Sequence, residues 1–303
     1  MKNGLIDIQI NYKDRPSELG MLLESLRKQS YQKFHIYVMD DQSGTPLQNY
    51  YFITMLIMQL KLEGHRVNLI RNEISKGVSF ARQKLVDHIL EFGDGEFICR
   101  LDDDTILEPD YLERLMEVIK EGYDLASGVT PPFGAPMIER STKYVKPFIN
   151  RVVLDGEGKF LINCDDCGYL YLEKEIIPTH HFRSCALYRR SVHDKVNYED
   201  HLTVCGFREE EFFSMRMILN GFKLGVHTGA IAWHLRTPSG GDRRQDYSNL
   251  AVQNQRLLNR FMKRKYKEHG DFITKYNEKF DVEDSTPLAS IDKNSNLLFN
   301  MED

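Results

Sequence analysis

The sequence lacks a hydrophobic run long enough to cross a membrane. Its longest apolar stretch, Tyr50–Leu62, is interrupted by Thr54, Gln59 and Lys61, and a membrane-spanning helix needs about 20 apolar residues. The first residues also carry no apolar segment of the kind found in secretory signals. These two absences predict a cytoplasmic protein without a transmembrane segment.

The sequence also has little cysteine and no excess of basic residues. Five cysteines, an odd number, do not favour a disulfide framework. The 40 Lys and Arg residues against 45 Asp and Glu give a net charge of −5, whereas a nucleic-acid-binding protein usually carries a basic excess. Nucleic acid is therefore not an expected partner. The basic run 260–267 is interpreted as the solvated face of a helix, with an anionic acceptor, lipid headgroups or nucleic acid as alternatives.

A glycine-rich phosphate loop is missing as well. No G-x-G-x-x-G or Walker-type motif follows the first predicted strand, which argues against a Rossmann dehydrogenase or a P-loop enzyme. A sugar-phosphate nucleotidyltransferase normally needs a loop rich in glycine and basic residues at the same place, and residues Asn11–Gly20 do not supply one. That class of enzyme stays open as an alternative.

The first half of the chain alternates between short apolar segments and segments with helical periodicity. Leu19, Leu22, Leu23 and Leu26, for example, recur at the spacing of one helix face. This alternation predicts an α/β fold with a doubly wound, mostly parallel sheet and helices on both of its faces. A helical extension is predicted for Tyr247–Tyr276. The predicted strands are Leu5–Ile10, Phe34–Met39, Val67–Ile70, Phe97–Leu101 and Asp124–Gly128.

Carboxylates gather where two of these strands end. Asp40 and Asp41 follow the second strand, and Asp102, Asp103 and Asp104 follow the fourth. Parallel α/β sheets bind their ligands beyond the carboxyl ends of the strands. Adjacent carboxylates repel one another, and Mg²⁺ or Mn²⁺ with oxygen ligands relieves that repulsion. The pattern favours a divalent cation site, with a solvated acidic turn before the next helix as the alternative.

Four segments together resemble glycosyltransferase family 2, a family of nucleotide-sugar enzymes with the GT-A fold. They are Ile8–Arg15, Val38–Ser43, Arg71–Arg82 and Leu101–Asp104, which matches the D-x-D motif. The third segment is similar to the family's N-x-G-x-x-x-A-R segment, with G-x-x-x-A-R at Gly77–Arg82 and Asn72 five residues before the glycine. At the end of the first strand the chain has Ile10-Asn11-Tyr12, where the family often has Pro-Thr-Tyr.

The resemblance implies a domain organisation and a set of site residues. A GT-A domain is expected over 1–245, with a nucleotide-sugar-binding half (1–128) and an acceptor and catalytic half (129–245), followed by a helical extension and polar tail over 246–303. Asp41 is expected to contact the base, and Asp104, Asp102 and His234 to hold the metal. The expected donor contacts are Asn11, Tyr12, Arg15, Asp41, Arg71, Lys76, Gly77, Arg82, Asp102, Asp103 and Arg236.

Three adjacent carboxylates provide candidates for a catalytic base. Transfer with inversion needs a group that takes the proton of the acceptor hydroxyl. Glu209, Glu210 and Glu211 stand where the family commonly has Glu-Asp before a helix, and the count back from Arg216 and Gly221 favours Glu210. Glu209 and Glu211 remain candidates. The alternative is an acidic first helical turn that interacts with the helix dipole.

The predicted function is transfer of a sugar from a nucleotide-diphosphate donor, with UDP-sugar favoured, to a hydroxyl of a glycan or another acceptor, assisted by Mn²⁺ or Mg²⁺. A non-catalytic module that binds a nucleotide sugar or zinc is a second alternative. Its zinc ligands would be Cys164, Cys167, Cys185 and Cys205, but their wide separation favours thiols that pack in the core.

Overall fold

The computed structural model describes residues 4–138, 148–154, 160–163, 166–238, 240–241 and 246–280. These residues form strands and helices that alternate along the first half of the chain. The strands are β1 (Ile6–Tyr12), β2 (Phe34–Asp40), β3 (Val67–Arg71), β4 (Phe97–Asp102), β5 (Thr105–Leu107), β6 (Leu125–Val129), β7 (Met137–Ile138), β8 (Val152–Leu154), β9 (Phe160–Ile162), β10 (Leu170–Tyr171), β11 (Ile176–Pro178), β12 (Ala186–Arg189) and β13 (Leu224–His234). The α-helices are α1 (Pro16–Arg27), α2 (Tyr51–Leu62), α3 (Val78–Phe92), α4 (Tyr111–Lys120), α5 (Glu209–Leu219), α6 (Tyr247–His269) and α7 (Phe272–Asn277).

A central sheet of nine strands organises the described residues. Its order is β11-β13-β6-β12-β4-β1-β2-β3, and β5 pairs with β13 beside this path. Strands β3, β2, β1 and β4 run parallel to one another. Strand β12 lies between β4 and β6 and is antiparallel to both. The predicted α/β class with a helical extension is confirmed, and β12 is the antiparallel element that periodicity within the first half does not reveal.

The helices bury both faces of this sheet. One apolar cluster joins α1, α2 and α4 to the face that includes Ile8, Phe97 and Cys99. The other cluster joins α3, α5, α6 and α7 to the face that includes Tyr37 and Ile98. Successive side chains of a strand point to opposite faces. The side chains of Ile98, Arg100 and Asp102 therefore share the face that carries α3 and α5.

Register between the parallel strands brings the polar strand ends together. Asn11 of β1 pairs with Asp102 of β4, and Tyr12 pairs with Asp40 of β2. A site at this edge follows directly from the shared direction of the strands. The short strand β5 then turns back along β13 and sets His234 beside Thr105.

Two helices begin at positions with a clear local cause. Helix α1 begins at Pro16, and proline fits this position because its missing N–H has no helical partner there. Helix α2 begins at Tyr51, after a 3-10 turn over Leu47–Asn49.

Buried hydrogen bonds hold α7 of the extension against the sheet region. Tyr276 Oη accepts a hydrogen bond from the Leu224 N–H at 2.9 Å and donates to the Thr179 carbonyl at 3.0 Å. The Val152 N–H donates to His180 Nδ1 at 2.8 Å, and His180 Nε2 donates to Asn277 Oδ1 at 2.7 Å. His180 is therefore held neutral, and burial lowers its pKa to about 3.

We predict that His180 makes the fold sensitive to acid. The unfolded chain gains a proton at this residue below pH 6.5 and the folded chain does so only near pH 3, so stability falls as the pH drops through that window. At pH 5 the loss from His180 is about 2 kcal/mol. Urea unfolding at pH 7 and pH 5 measures this loss. His180→Asn should remove this part of the pH dependence of stability, whereas His201→Asn, a change at an exposed site, should leave the pH dependence unchanged. Equal pH dependence in the parent and in His180→Asn would contradict the prediction.

Candidate active site

A cleft lies beyond the carboxyl ends of β1, β2 and β4, next to the first turn of α3. It brings together many of the residues that the sequence singled out. The predicted site residues that do not line it are Arg71, Lys76, Gly77, Arg236 and the three candidate bases Glu209, Glu210 and Glu211. The lining residues are Asn11, Tyr12, Lys13, Arg15, Asp41, Val78, Ala81, Arg82, Asp102, Asp103, Asp104, Cys205, His234, Gly241 and Tyr247.

Asp102, Asp104 and His234 form a group with the geometry of a metal site. One ligand atom of each lies within 4.8 Å of the others, and His234 Nε2 is 3.7 Å from an oxygen of Asp104. The pairing of β5 with β13 produces this arrangement, and the Leu235 N–H donates to the Asp104 carbonyl at 2.9 Å. Two carboxylates and an imidazole suit Mn²⁺, so the donor set fits the divalent cation that the sequence predicted.

Arg15 balances the charge of Asp103 and Asp104. Its Nη1 lies 3.0 Å from both Asp103 Oδ1 and Asp104 Oδ2. Burial raises the pKa of Asp103 to about 7, with Asp104 adding to the rise and Arg15 opposing it. Burial also acts on Asp102, but Arg82 and Arg100 outweigh it and lower the pKa of that carboxyl to about 2. Adjacent carboxylates thus differ in proton affinity, and Asp102 stays ionised at neutral pH.

A network of buried charges lies under the cleft. Arg82 Nη2 donates to Asp102 Oδ1 at 2.6 Å, and its Nε lies 2.8 Å from Glu209 Oε1. Arg100, which has no exposed surface, donates to Glu209 Oε1 at 3.0 Å and to Glu210 Oε1 at 2.7 Å. The Arg100 guanidinium also lies over the ring of Phe182, 5.2 Å from its centroid. One strand, β4, and two helices, α3 and α5, are therefore joined by charge-assisted hydrogen bonds.

The three glutamates of α5 have different surroundings. Glu209 is buried between two arginines, and burial raises its pKa despite both of them. Glu211 is buried on the side of α6, where Arg208 Nη1 donates to it at 2.5 Å and lowers its pKa to about 2 against the effect of burial. The side chain of Glu210 is 23% exposed and accepts a hydrogen bond from Arg100. Of the three, Glu210 is the carboxylate that a substrate can approach.

Asp41 lines the cleft but is already held by hydrogen bonds from the protein. Asn72 Nδ2 donates to one carboxylate oxygen at 2.8 Å and Ser75 Oγ to the other at 2.6 Å. Arg71 is directed away from the cleft and forms an ion pair with Asp40, while its Nη2 donates to the Ser43 carbonyl at 2.8 Å. Arg71 therefore stabilises the turn that follows β2.

Gly77 and Lys76 precede α3 and pack closely against neighbouring residues. Gly77 has φ of +104°, and a Cβ atom there would lie 2.5 Å from the Cα of Val204, so glycine is required on both counts. The Val78 N–H donates to the Val204 carbonyl at 3.3 Å. Lys76 lies over the ring of Phe80, 4.9 Å from its centroid. This close packing sets Val204 and Cys205 against the side of the cleft.

Gly240 and Gly241 pack closely against Arg15. Gly240 and Gly241 have φ of +73° and +65°, and a Cβ on Gly240 would lie 2.4 Å from Arg15 Cγ. The Gly241 N–H donates to the Lys13 carbonyl at 3.0 Å. Arg236 is exposed in the segment after β13.

Comparisons with known proteins identify the family and the fold. The family model described as "Glycosyl transferase family 2" matches residues 8–196. The chain belongs to glycosyltransferase family 2. No curated protein matches this family 2 chain by sequence.

Solved structures of low sequence identity share its fold. One is GalNAc-T7 with UDP, GalNAc and Mn²⁺, at 15% identity and a TM-score of 0.62, covering 90% of this chain and 55% of that one. Another is a TarS fragment from S. aureus with UDP-GlcNAc, at 14% identity and a TM-score of 0.54, covering 87% and 73%. A third, the TarS fragment by itself, has 16% identity and a TM-score of 0.52, covering 76% and 60%. The family 2 chain thus spans 55–60% of the first two structures matched, GalNAc-T7 and this last fragment.

Two further sequence predictions are tested by the described residues. Cys167, Cys185 and Cys205 do not come together, and the candidate metal groups among the described residues contain no cysteine; Cys164 lies outside them. Burial raises the pKa of both Cys167 and Cys185 to about 12, as expected for packed thiols. Across the part of the chain that is described, no helix is long and apolar enough to cross a membrane.

Arg100 is the main site residue that sequence reasoning missed. The signal was present, because Arg100 is the one charged side chain among the apolar residues that precede Asp102 in β4. It stands two residues before Asp102 and therefore on the same face of the strand. A cation at that position predicts anionic partners on the helices that cover that face.

We predict that Arg100 contributes far more to stability than a surface arginine. Arg100→Met leaves Glu209 buried with one cation fewer, and removal of one partner from a buried ion pair costs about 3–5 kcal/mol. Arg27→Met, which loses the exposed contacts to Glu24 and Glu63, should cost about 1 kcal/mol or less. Urea unfolding of both variants at pH 7 measures the difference. Similar losses in the two variants would show that the buried network is not a major source of stability.

Proposed function

We propose that this family 2 chain transfers a sugar from a nucleotide-diphosphate donor to an acceptor hydroxyl with the help of a divalent cation. The observation that carries the proposal is the convergence of Asp102, Asp104 and His234 at the edge of the sheet where β1, β2 and β4 end. An oxygen-rich cation site at that edge suits a ligand with phosphate groups.

A UDP-sugar is the proposed donor. The GalNAc-T7 structure contains UDP and Mn²⁺, and the TarS fragment has been solved with UDP-GlcNAc and with UDP. On this chain Asp41, Asn11 and Tyr12 would surround the base. Both polar atoms of the Asn11 amide are buried without a hydrogen-bond partner among the described residues. Such groups gain most from a ligand that satisfies them.

The cation and the arginines would share the charge of the diphosphate. A bound Mn²⁺ or Mg²⁺ neutralises charge that develops on the departing nucleotide. Asp104, Asp102 and His234 would hold it, and Arg15 would balance Asp103. Arg82 Nη1 lacks a hydrogen-bond partner among the described residues, and Arg82 lines the cleft. We assign this nitrogen to a donor oxygen.

Glu210 is the proposed base for transfer with inversion. It is more accessible than Glu209 and Glu211, and the hydrogen bond from Arg100 fixes its position. A carboxylate in this place can take the proton of an acceptor hydroxyl as the bond to the sugar forms. The proposed organisation is a transferase domain over 1–245 followed by the extension 246–303. A cytoplasmic location stays a prediction.

We predict donor binding that depends on metal. In thermal unfolding, one UDP-sugar with Mn²⁺ at 100 times its Kd should add about 2.7 kcal/mol of stability. Asp104→Asn should abolish the part of the shift that needs Mn²⁺, whereas Asp200→Asn, at an exposed position, should preserve it. No shift with UDP-, GDP-, dTDP- or CMP-sugars would contradict the proposal. Release of pyrophosphate from UTP and a sugar phosphate would instead identify a nucleotidyltransferase.

A second prediction concerns the base. Glu210→Gln should lower kcat by about 10²–10⁴-fold, because general base catalysis typically contributes that much, while the metal-dependent thermal shift with the donor is unchanged. Glu211→Gln is the matched control, since its carboxylate bonds to Arg208 on the far side of α5, and its kcat should stay within a few fold of the parent value. A fall in kcat confined to Glu211→Gln would move the assignment to that residue.

A further inference from the structure

A second groove runs along the exposed face of α6. It has a volume of about 620 Å³, and its lining includes Thr203, Leu257 and three cations, Arg256, Arg260 and Lys263. The opposite face of the helix is buried through residues such as Leu258 and Met262. The three cations occur at i, i+4 and i+7, so one side of the helix presents them in a row along the groove.

These three cations differ from the basic residues that follow them. Arg264 and Lys265 lie within 3.9 Å and 2.7 Å of Glu268 carboxylate oxygens. Arg256, Arg260 and Lys263 make no side-chain hydrogen bond or ion pair with another described residue. The run 260–267 therefore divides into residues directed to the groove and residues paired within the helix.

One carboxylate beside the groove is already paired, because Glu199 forms an ion pair with Arg216. Asp200 is exposed and lies 3.5 Å from Nε2 of His201, which carries charge only when protonated. The three cations of the groove outnumber this single carboxylate. The cleft at the strand ends has the opposite character, since aspartates line it.

The groove adjoins the proposed donor cleft. Thr203 lines the groove and Cys205, two residues on, lines the cleft. Asn254 of α6 holds this segment, because its Oδ1 accepts from the Thr203 N–H at 2.8 Å and its Nδ2 donates to the Phe207 carbonyl at 3.0 Å. At 1.5 Å per helical residue, Arg256 stands about 14 Å and Lys263 about 24 Å along α6 from Tyr247, which itself lines the cleft.

We propose that the groove binds the acceptor, and that the acceptor is an extended polyanion with repeated phosphate or carboxylate groups. The inference rests on the proposed function, because it assigns the acceptor of the same transfer. Cations in a row over about two turns of a helix, a rise of about 10 Å, match charges repeated along a chain, whereas a single compact anion would not span the whole row. The end of such a chain would enter the cleft between Cys205 and Tyr247.

The test compares two double charge reversals on the full chain. Arg256→Glu with Arg260→Glu alters the groove, and Arg264→Glu with Lys267→Glu makes the same change in net charge further along α6. Fluorescently labelled inorganic polyphosphate and polyglutamate are titrated with each protein. Vesicles of phosphatidylglycerol and duplex DNA are titrated in parallel. The thermal shift with UDP and Mn²⁺ is measured on every variant as a separate check of the donor site.

The expected result is a loss of about tenfold or more in affinity for polyphosphate or polyglutamate in the groove variant, because two charge-assisted contacts are replaced by repulsion. The control variant should lose about twofold or less. Whichever of the two polymers binds more tightly identifies phosphate or carboxylate as the repeated group. Equal losses in both variants, no binding of either polymer, or tighter binding of vesicles or DNA would overturn the proposal. If the thermal shift with UDP and Mn²⁺ is unchanged while any of those results is obtained, the acceptor groove is rejected and the proposed donor site is not.

Discussion

The active-site region depends on one physical constraint, the pairing of two buried guanidinium groups with three carboxylates. Arg82 and Arg100 share Glu209, and each also pairs with a further carboxylate, Asp102 of the cleft for Arg82 and Glu210 in the first turn of α5 for Arg100. An unpaired charge in such a place would be very costly, so each member needs the others to be present. Strand β4 and helices α3 and α5 are thereby fixed relative to one another by the same groups that shape the floor of the cleft.

This constraint separates groups that look equivalent in the sequence. Asp102 is held ionised by the two arginines, while its neighbour Asp103 has its pKa raised by burial. Glu209, Glu210 and Glu211 likewise divide into a buried structural residue, an accessible carboxylate and a partner for Arg208. The roles follow from the faces of the strand and helix on which the residues stand, and not from their chemical type.

The sheet and its polar edge could be predicted from the sequence. These features follow from local periodicity and from the rule that parallel sheets bind ligands beyond the carboxyl ends of their strands. Sequence reasoning placed Asp102, Asp104 and His234 together through the family resemblance, and the turn into β5 supplies the physical reason. It could not foresee that Arg71 pairs with Asp40, because that contact depends on the register of β2 and β3, in which these two residues are direct partners. The solved structures support the fold at 14–16% identity, and the chemistry rests on the residues of this chain.

The antiparallel strand β12 has a consequence for the way the chain is made. Strands β4 and β6 each meet β12 and not one another, so both keep an open edge until residues 186–189 have left the ribosome. Exposed strand edges pair readily with other chains. The nascent protein therefore passes through a stage in which its first 129 residues cannot close their own sheet, and a fragment cut at that boundary would tend to aggregate.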